Sequence, residues 1–139
     1  MNWRNGEGYY DPTTTVALTN VMEEAKPTKQ YLPLVYVASP FAGDTEGNTE
    51  LARRYCRFAV SKSVIPVAPH LLYPQFMDDA DPEQRALGLR FALILLGKCD
   101  ELWVFGNRIS NGMAREIAKA KKRSMPIRYF FDDCEEVAQ

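Results

Sequence analysis

The sequence predicts an α/β fold in which helices cover both faces of a parallel sheet of about four to five strands. Short apolar runs without polar alternation, typical of strands buried on both faces, alternate with longer segments of helical periodicity. The chain has 139 residues, 46% of them hydrophobic and 25% charged, which fits one ordinary domain. The order β-α-β-α-β-α-β predicts right-handed crossovers between parallel strands.

Residues 1–30 differ from the rest and are predicted to form an N-terminal arm, partly helical or disordered. Glycines and Pro12 interrupt its beginning, and a short helix is expected from the Thr13–Thr15 cap to Ala25, where Pro27 stops it. Such an arm would dock on a partner subunit, and disorder is the alternative. Residues 31–139 form the predicted domain.

The first predicted strand is Leu34–Ala38, an uncharged apolar run. Ser39–Asp44 is predicted to be a loop because of its proline and glycine content. A helix follows and reaches about Val60, with Asn48 or Thr49 as its N-cap, because apolar residues recur at helical spacing.

The second predicted strand is Val64–Ala68, which its proline places near a sheet edge. Pro69–Phe76 is predicted to be an apolar connection. Pro82 suits the first turn of a helix that reaches about Gly97. The buried face of that helix is predicted to consist of apolar residues at helical spacing, namely Leu87, Phe91, Ile94 and Leu95.

The third predicted strand is Glu101–Gly106, and a loop over Asn107–Gly112 follows it. Met113–Lys122 is predicted to be a helix whose basic end complements the helix dipole. Pro126–Phe130 is the last predicted strand. The chain therefore ends its regular structure with a strand, as the alternating order requires.

Ligands of open parallel sheets bind outside the carboxyl ends of the strands, which places the predicted site at the loops after Ala38, Ala68 and Phe105. A glycine-bearing loop before a helix can bind an anion, although the first loop lacks the phosphate-binding lysine pattern and the dinucleotide GxGxxG pattern. A plain capping turn is the alternative there. His70, the single histidine, can bind a hydroxyl or phosphate or transfer a proton, or it can be structural. The candidate contacts in the first two loops are Ser39, Gly43, Asn48 and His70.

The segment Ser110–Glu116 is the most specific indication of a functional site in the sequence. Ser110 and Gly112 can present a hydroxyl and free N–H groups at a helix start. Glu116 has Met113 and Ala120 about one turn away on the same face, which indicates that it points inward. An inward carboxylate can act as a nucleophile toward an electrophilic carbon. The alternative is an acidic residue that complements the helix N-terminus.

Composition excludes several classes of protein. The formal net charge is -1, which gives no reason to expect binding to nucleic acid or to a membrane. The three cysteines have neither zinc spacing nor a disulfide pattern, and reduced thiols in the cytoplasm are expected. No apolar run is long enough to span a bilayer, and the first residues do not look like a signal peptide. Four arginines on the predicted helices are candidates for phosphate contacts, of which one or two can face the site: Arg53, Arg54, Arg57 and Arg90.

Three segments together resemble the nucleoside 2-deoxyribosyltransferases and the related deoxynucleoside monophosphate N-glycosidases. Val35–Phe41 resembles their first strand and loop, and Cys99–Val104 resembles their third strand together with the pair of residues before it, the second of which is aspartate. Ser110–Ala120 resembles their S-x-G-x-x-x-E-x-G-x-A segment, with Ala118 where the family usually has glycine. The likeness covers about residues 33–131 and is strongest to a phage and bacterial branch of this superfamily.

This resemblance implies a Rossmann-like three-layer sandwich, a nucleoside or nucleotide as substrate, no metal or cofactor, and a homodimer or higher homo-oligomer. Glu116 falls on the family's nucleophile, which forms a glycosyl-enzyme ester. Ser110 falls on a serine that contacts the substrate phosphate, Tyr36 on an aromatic residue near the sugar, and His70 near a histidine after the second strand. Together with the loop residues, the expected substrate contacts are Tyr36, Ser39, Phe41, Gly43, Asn48, His70, Arg90, Ser110, Gly112 and Met113.

One position departs from the family pattern. Ala92 stands where the glycosidases carry an aspartate that helps to protonate the leaving base, and loss of a general acid costs about 100-fold or more in rate. Either another group protonates the leaving base, with Asp44, His70 and Asp100 as candidates, or the reaction is different from that of the glycosidases. Ala42 likewise stands where the monophosphate hydrolases carry an arginine.

Three hypotheses follow. The first is an enzyme, a hydrolase or transferase, that acts on an N-glycosidic bond through Glu116. The second is a module that binds or senses a nucleotide without turning it over, which Ala92 favours. The third is a phage-associated interaction protein that uses the N-terminal arm.

Overall fold

The computed structural model describes residues 30–138, which include four parallel strands and the helices that connect them. The strands are β1 (Leu34–Ala38), β2 (Ile65–Val67), β3 (Glu101–Phe105) and β4 (Ile127–Phe130). The helices are α1 (Thr45–Ser61), α2 (Pro69–Leu72), α3 (Pro82–Leu96) and α4 (Asn111–Lys122), with a 3₁₀ turn over Tyr73–Gln75. Residues 1–29 of the predicted arm lie outside the described residues.

The strands of the sheet lie in the order β2-β1-β3-β4, and every pairing is parallel. Ala38 at the end of β1 is opposite Val104, and Phe105 at the end of β3 is opposite Phe130. The carboxyl ends of all four strands therefore meet at one edge, where the loops that feed α1, α2 and α4 begin. Pro66 lies on the edge strand β2, as its missing N–H predicted.

Alternate residues of the central strands enter two separate cores. Val35, Val37, Trp103 and Phe105 point toward α1 and pack with Tyr55 and other apolar residues there. The opposite face buries a second group of strand residues against Leu96 of α3 and against Met113 and Ala120 of α4, and its strand members are Tyr36, Ala38, Leu102 and Val104. A parallel sheet with helices on both faces confirms the predicted α/β three-layer sandwich.

The first helix begins earlier than predicted. Asp44 is the N-cap of α1, and its carboxylate accepts a hydrogen bond from the Gly47 amide at 3.1 Å. Asn48 and Thr49, the predicted caps, lie inside the first turns instead. Aspartate favours the N-cap position as strongly as asparagine does, so residue type alone did not rule out Asp44, and the predicted start of the helix was wrong. The predicted apolar connection after β2 also contains regular structure, namely α2 and the 3₁₀ turn.

The buried face predicted for α3 is partly wrong. Leu87 and Ile94 are each 45% exposed, whereas Ala92, Leu93 and Leu96 pack in the second core. The helix is apolar around much of its circumference, so periodicity does not single out the inward side. Contacts with the sheet decide it.

Within residues 30–138, no helix has the length and apolar character needed to cross a membrane. All three cysteines are half-buried free thiols. Burial raises the pKa of the Cys56 and Cys99 thiols to about 11, so both are protonated at neutral pH.

Candidate functional site

Two loops meet at the carboxyl edge of the sheet. Gly106, which follows β3, has a φ of 100°, a conformation that favours glycine. A Cβ atom at this position would lie 3.6 Å from Cδ of Pro40, in the loop after β1. The loop after β1 and the start of the loop after β3 are therefore in close contact, as the strand-end rule predicted.

Glu116 lies in the second turn of α4 and lines a cavity of about 380 Å³ at this edge. The hydroxyl of Tyr36, which is buried on β1, interacts with this carboxylate, and the interaction favours the ionised form of Glu116. Burial raises the pKa of Glu116 to about 7, and the Tyr36 hydrogen bond opposes part of that rise. Burial, and then the Glu116 charge, raise the pKa of Tyr36, so its hydroxyl keeps its proton. The cavity thus has a carboxyl group in its wall that exchanges a proton near neutral pH.

Ser39 and His70 form a second polar pair in the same cavity. Oγ of Ser39 lies 3.0 Å from Nε2 of His70, within hydrogen-bond distance. Burial lowers the pKa of His70 to about 4, so the imidazole is neutral at pH 7. The ring of Phe41 stands edge-on to the imidazole, with 5.8 Å between ring centroids. Burial therefore keeps the imidazole uncharged, and its contact with Ser39 leaves it a neutral hydrogen-bonding group in the cavity.

Ser110 is the N-cap of α4. Its Oγ accepts a hydrogen bond from the Met113 amide at 3.2 Å, and Met113 itself is fully buried. Gly112 lies in the first turn, where an added Cβ would meet no atom closer than 3.9 Å. Ser110 therefore has a structural role in starting the helix, while its hydroxyl hydrogen remains able to donate to a ligand.

The cavity brings together most of the residues that the sequence singled out. Its wall contains the predicted residues Ser39, Phe41, His70, Ser110, Gly112, Met113 and Glu116. The carboxyl group of Glu116 and the Ser39–His70 pair are therefore accessible to one small ligand. The volume lies at the lower end of the range of about 300–1,000 Å³ for small-molecule sites.

Four predicted contacts do not line the cavity. Tyr36 lies behind Glu116, and Gly43 is exposed with a φ of 99°. Asn48 donates to the carbonyl oxygens of Phe41 and Ala42 at 3.1 and 3.2 Å, so it shapes the loop. Arg90 on α3 is exposed and does not line the cavity.

The sequence missed the part of the wall formed by the segment after β2 and the first half of α3. The missed residues with polar or large side chains there are Tyr73, Met77, Asp79, Gln84, Arg85 and Leu89, and after β3 the sequence also missed Arg108 and Asn111. Arg108 follows β3 directly, so the strand-end rule could have identified it. By their spacing, Arg85, Gly88 and Ala92 lie on one face of α3. An arginine followed on the same face by two small residues was the sequence pattern that could have indicated that Arg85 lines a cavity.

The three acids considered as substitutes for the missing aspartate lie in different places. Oδ2 of Asp100 accepts from the Leu34 amide at 2.8 Å, at the amino ends of the strands and so at the opposite edge of the sheet. Asp44 caps α1 and does not line the cavity, whereas His70 does. Ala92 is half-buried in the second core. Asp79 is an additional carboxyl group in the cavity wall.

Among residues 30–138, no three histidine, cysteine or acidic side chains are grouped so that they could hold a metal ion. None of the curated proteins compared with the chain matches it. A family model described as a domain of unknown function, DUF7768, matches residues 33–130, which span the sheet and every residue of the cavity wall. The chain therefore belongs to the DUF7768 family.

Proposed function

We propose that this domain is a hydrolase or transferase that acts on the N-glycosidic bond of a nucleoside or nucleotide, as a member of the nucleoside 2-deoxyribosyltransferase-like superfamily. One observation carries the proposal. A carboxyl group at the carboxyl edge of the sheet, Glu116, interacts with the Tyr36 hydroxyl and lies in the wall of a cavity of small-molecule size. The resemblance of the Ser110–Ala120 segment to the superfamily supplies the reaction class.

In the first step, an oxygen of Glu116 attacks the anomeric carbon of the sugar. The C–N bond breaks, its electron pair leaves with the base, and a glycosyl ester forms on the carboxylate. In the second step, water or another acceptor attacks the same carbon, and Glu116 is released as a carboxylate while the acceptor loses a proton. With a pKa of about 7, Glu116 is partly ionised at neutral pH and more basic than an ordinary carboxylate.

The leaving base needs a proton. Neutral His70 has a pKa of about 4 and is a weak source of protons at pH 7, so it suits a hydrogen bond to a sugar hydroxyl. Asp79 lies in the same wall and is our candidate for the acid that Ala92 replaces on α3. Phe41, Tyr73 and Met77 provide apolar surface against which a base can stack.

A module that binds or senses a nucleotide without turning it over is the second candidate. The observation in its favour is that Ala92, at the position of the family's aspartate, packs in the core and leaves no carboxyl group there. The same cavity would then serve for binding alone.

We also propose that the domain forms a homodimer or a higher homo-oligomer. Leu87 and Ile94 form an exposed apolar strip on α3, and Leu72 and Phe76 are exposed in the preceding segment. Light scattering combined with size-exclusion chromatography measures the mass. Leu87→Lys should convert the oligomer to the monomer, and a wild-type chain that is already monomeric contradicts the proposal.

The decisive experiment is incubation with the deoxynucleosides and their 5′-monophosphates, followed by chromatography for the free base. Base release by the wild type that is lost in Glu116→Ala and retained in Glu135→Ala supports the enzyme, because Glu135 is exposed and outside the cavity. Nucleotide binding without base release supports the binding module. Failure to bind or cleave any of these compounds refutes both functions.

A further inference from the structure

Two arginines lie in the wall of the cavity. Arg85 is in the first turn of α3 and Arg108 is in the loop after β3, and both side chains are exposed. Neither guanidinium forms an ion pair or a hydrogen bond with any residue among 30–138. Asp79 shares the wall, and none of the ion pairs among residues 30–138 joins it to either arginine. Two unneutralised cations therefore face the space that a ligand would fill.

The other arginines of the described chain differ in place or in pairing. Arg53 and Arg57 lie near Glu50 at 3.5 Å, and Arg128 contacts Glu136 at 2.7 Å. Arg90 on α3 is exposed and outside the cavity. Proximity to the cavity thus distinguishes Arg85 and Arg108 from the arginines that the sequence favoured.

The N-terminus of α4 adds positive electrostatic potential to the part of the cavity wall near Arg108. Ser110 satisfies the amides of Met113 and Ala114, through its Oγ and its carbonyl oxygen. Asn111 and Gly112, which also line the cavity, have backbone N–H groups in the first turn that no helical carbonyl can accept. The helix dipole directs partial positive charge to the same wall, close in sequence to Arg108.

We propose that the cavity binds a phosphorylated ligand whose phosphate is contacted by Arg85 and Arg108, so that the preferred ligand is a nucleotide and not the free nucleoside. The nucleoside part of this inference rests on the proposed function. The phosphate part rests on the arginines, because the forked N–H groups of a guanidinium match the geometry of phosphate oxygens. Two such contacts give selectivity over a ligand that carries only a hydroxyl at the same position.

Isothermal titration calorimetry tests the proposal. Each protein sample is the full chain carrying the Glu116→Gln substitution, so that no ligand is consumed during the titration. The probes are the four 2′-deoxynucleoside 5′-monophosphates, the matching deoxynucleosides, and inorganic phosphate alone. The best monophosphate should bind roughly 10- to 100-fold tighter than its nucleoside. Arg85→Gln and Arg108→Gln should each weaken monophosphate binding about 10-fold and leave nucleoside binding unchanged.

Arg90→Gln is the matched control, since it removes a charge from the same helix outside the cavity, and it should leave both affinities unchanged. Arg85→Lys and Arg108→Lys should recover part of the loss, because they restore the charge without the fork. Circular dichroism confirms that each variant is folded.

Equal affinity for monophosphate and nucleoside, or an equal loss in Arg90→Gln, overturns the inference even if base release is observed. A monophosphate preference that depends on both arginines sustains the inference even if no base is released, in which case only the catalytic proposal fails. Tight binding of inorganic phosphate without binding of any nucleotide assigns the site to a free anion and overturns the nucleotide assignment. No binding of any probe overturns both proposals.

Discussion

Glu116→Gln should stabilise this protein at alkaline pH and leave its stability nearly unchanged at acidic pH. The carboxyl group has a pKa of about 7 in the folded chain, against an ordinary value of 4.5. The folded state therefore binds the Glu116 proton more tightly than the unfolded state does. The contribution of protonated Glu116 to the free energy of unfolding is fully present below pH 4.5, and it is lost as the pH rises through about 7.

The size of the effect follows from the same two values. One pH unit corresponds to about 1.4 kcal/mol, so the difference between 4.5 and about 7 sets an upper limit of about 3 kcal/mol. Glu116 borders a cavity open to water, which screens part of the penalty, so we expect about 1–3 kcal/mol at pH 8. Glutamine keeps the shape of the side chain and an oxygen that accepts from Tyr36, so the hydrogen bond survives.

Urea unfolding at pH 4.5, 6, 7 and 8 measures the free energy of unfolding of wild type and variant. The difference between the two should grow from near zero to its full value across this range. Glu135→Gln is the control, because this exposed side chain should change stability by less than about 0.5 kcal/mol at each pH. A difference for Glu116→Gln that stays constant from pH 4.5 to 8 refutes the idea that a buried, ionising carboxyl group lies at this position.

Three further variants test the local structure around the cavity. Tyr36→Phe removes the hydrogen bond that lowers the pKa of Glu116, so that pKa should rise above about 7 in a ¹³C-carboxyl NMR titration, and any base release should need a higher pH. Asp44→Ala should cost about 1 kcal/mol of unfolding free energy in urea, because α1 loses its N-cap. Gly106→Ala should cost about 1–2 kcal/mol in the same assay, because φ at this residue is 100°.

Matched substitutions control each of these measurements. An unchanged or lower pKa of Glu116 in Tyr36→Phe would contradict the assigned hydrogen bond. Asp44→Asn should retain most of the cap, so an equal loss in both Asp44 variants argues against capping as the cause. Gly112→Ala lies within α4 and should cost nothing, which separates the backbone strain at Gly106 from a general effect of added volume.

The sequence predicted the order and type of most elements because their signals are local. Leu34–Ala38 and Glu101–Phe105 are apolar runs of strand length, and Pro82 marks the start of α3. Boundaries were less certain where several residues can cap a helix, as at Asp44, Asn48 and Thr49. The inward face of α3 was predicted partly wrongly, since apolar residues surround that helix and only its contact with the sheet selects a side.

The candidate site was likewise predicted in part from the sequence, and the rest was decided by the tertiary structure. The alternating order of strands and helices, with the rule that parallel strands end at one edge, was enough to place Ser39, His70 and Glu116 together. Tertiary structure alone decided that Tyr36 lies behind Glu116, that Asp100 is at the opposite edge, and that Arg85 faces the cavity while Arg90 does not. Local sequence determines which elements form and where their ends are, whereas burial, proton affinity and the partner of each charge depend on residues distant in the chain that only folding brings into contact.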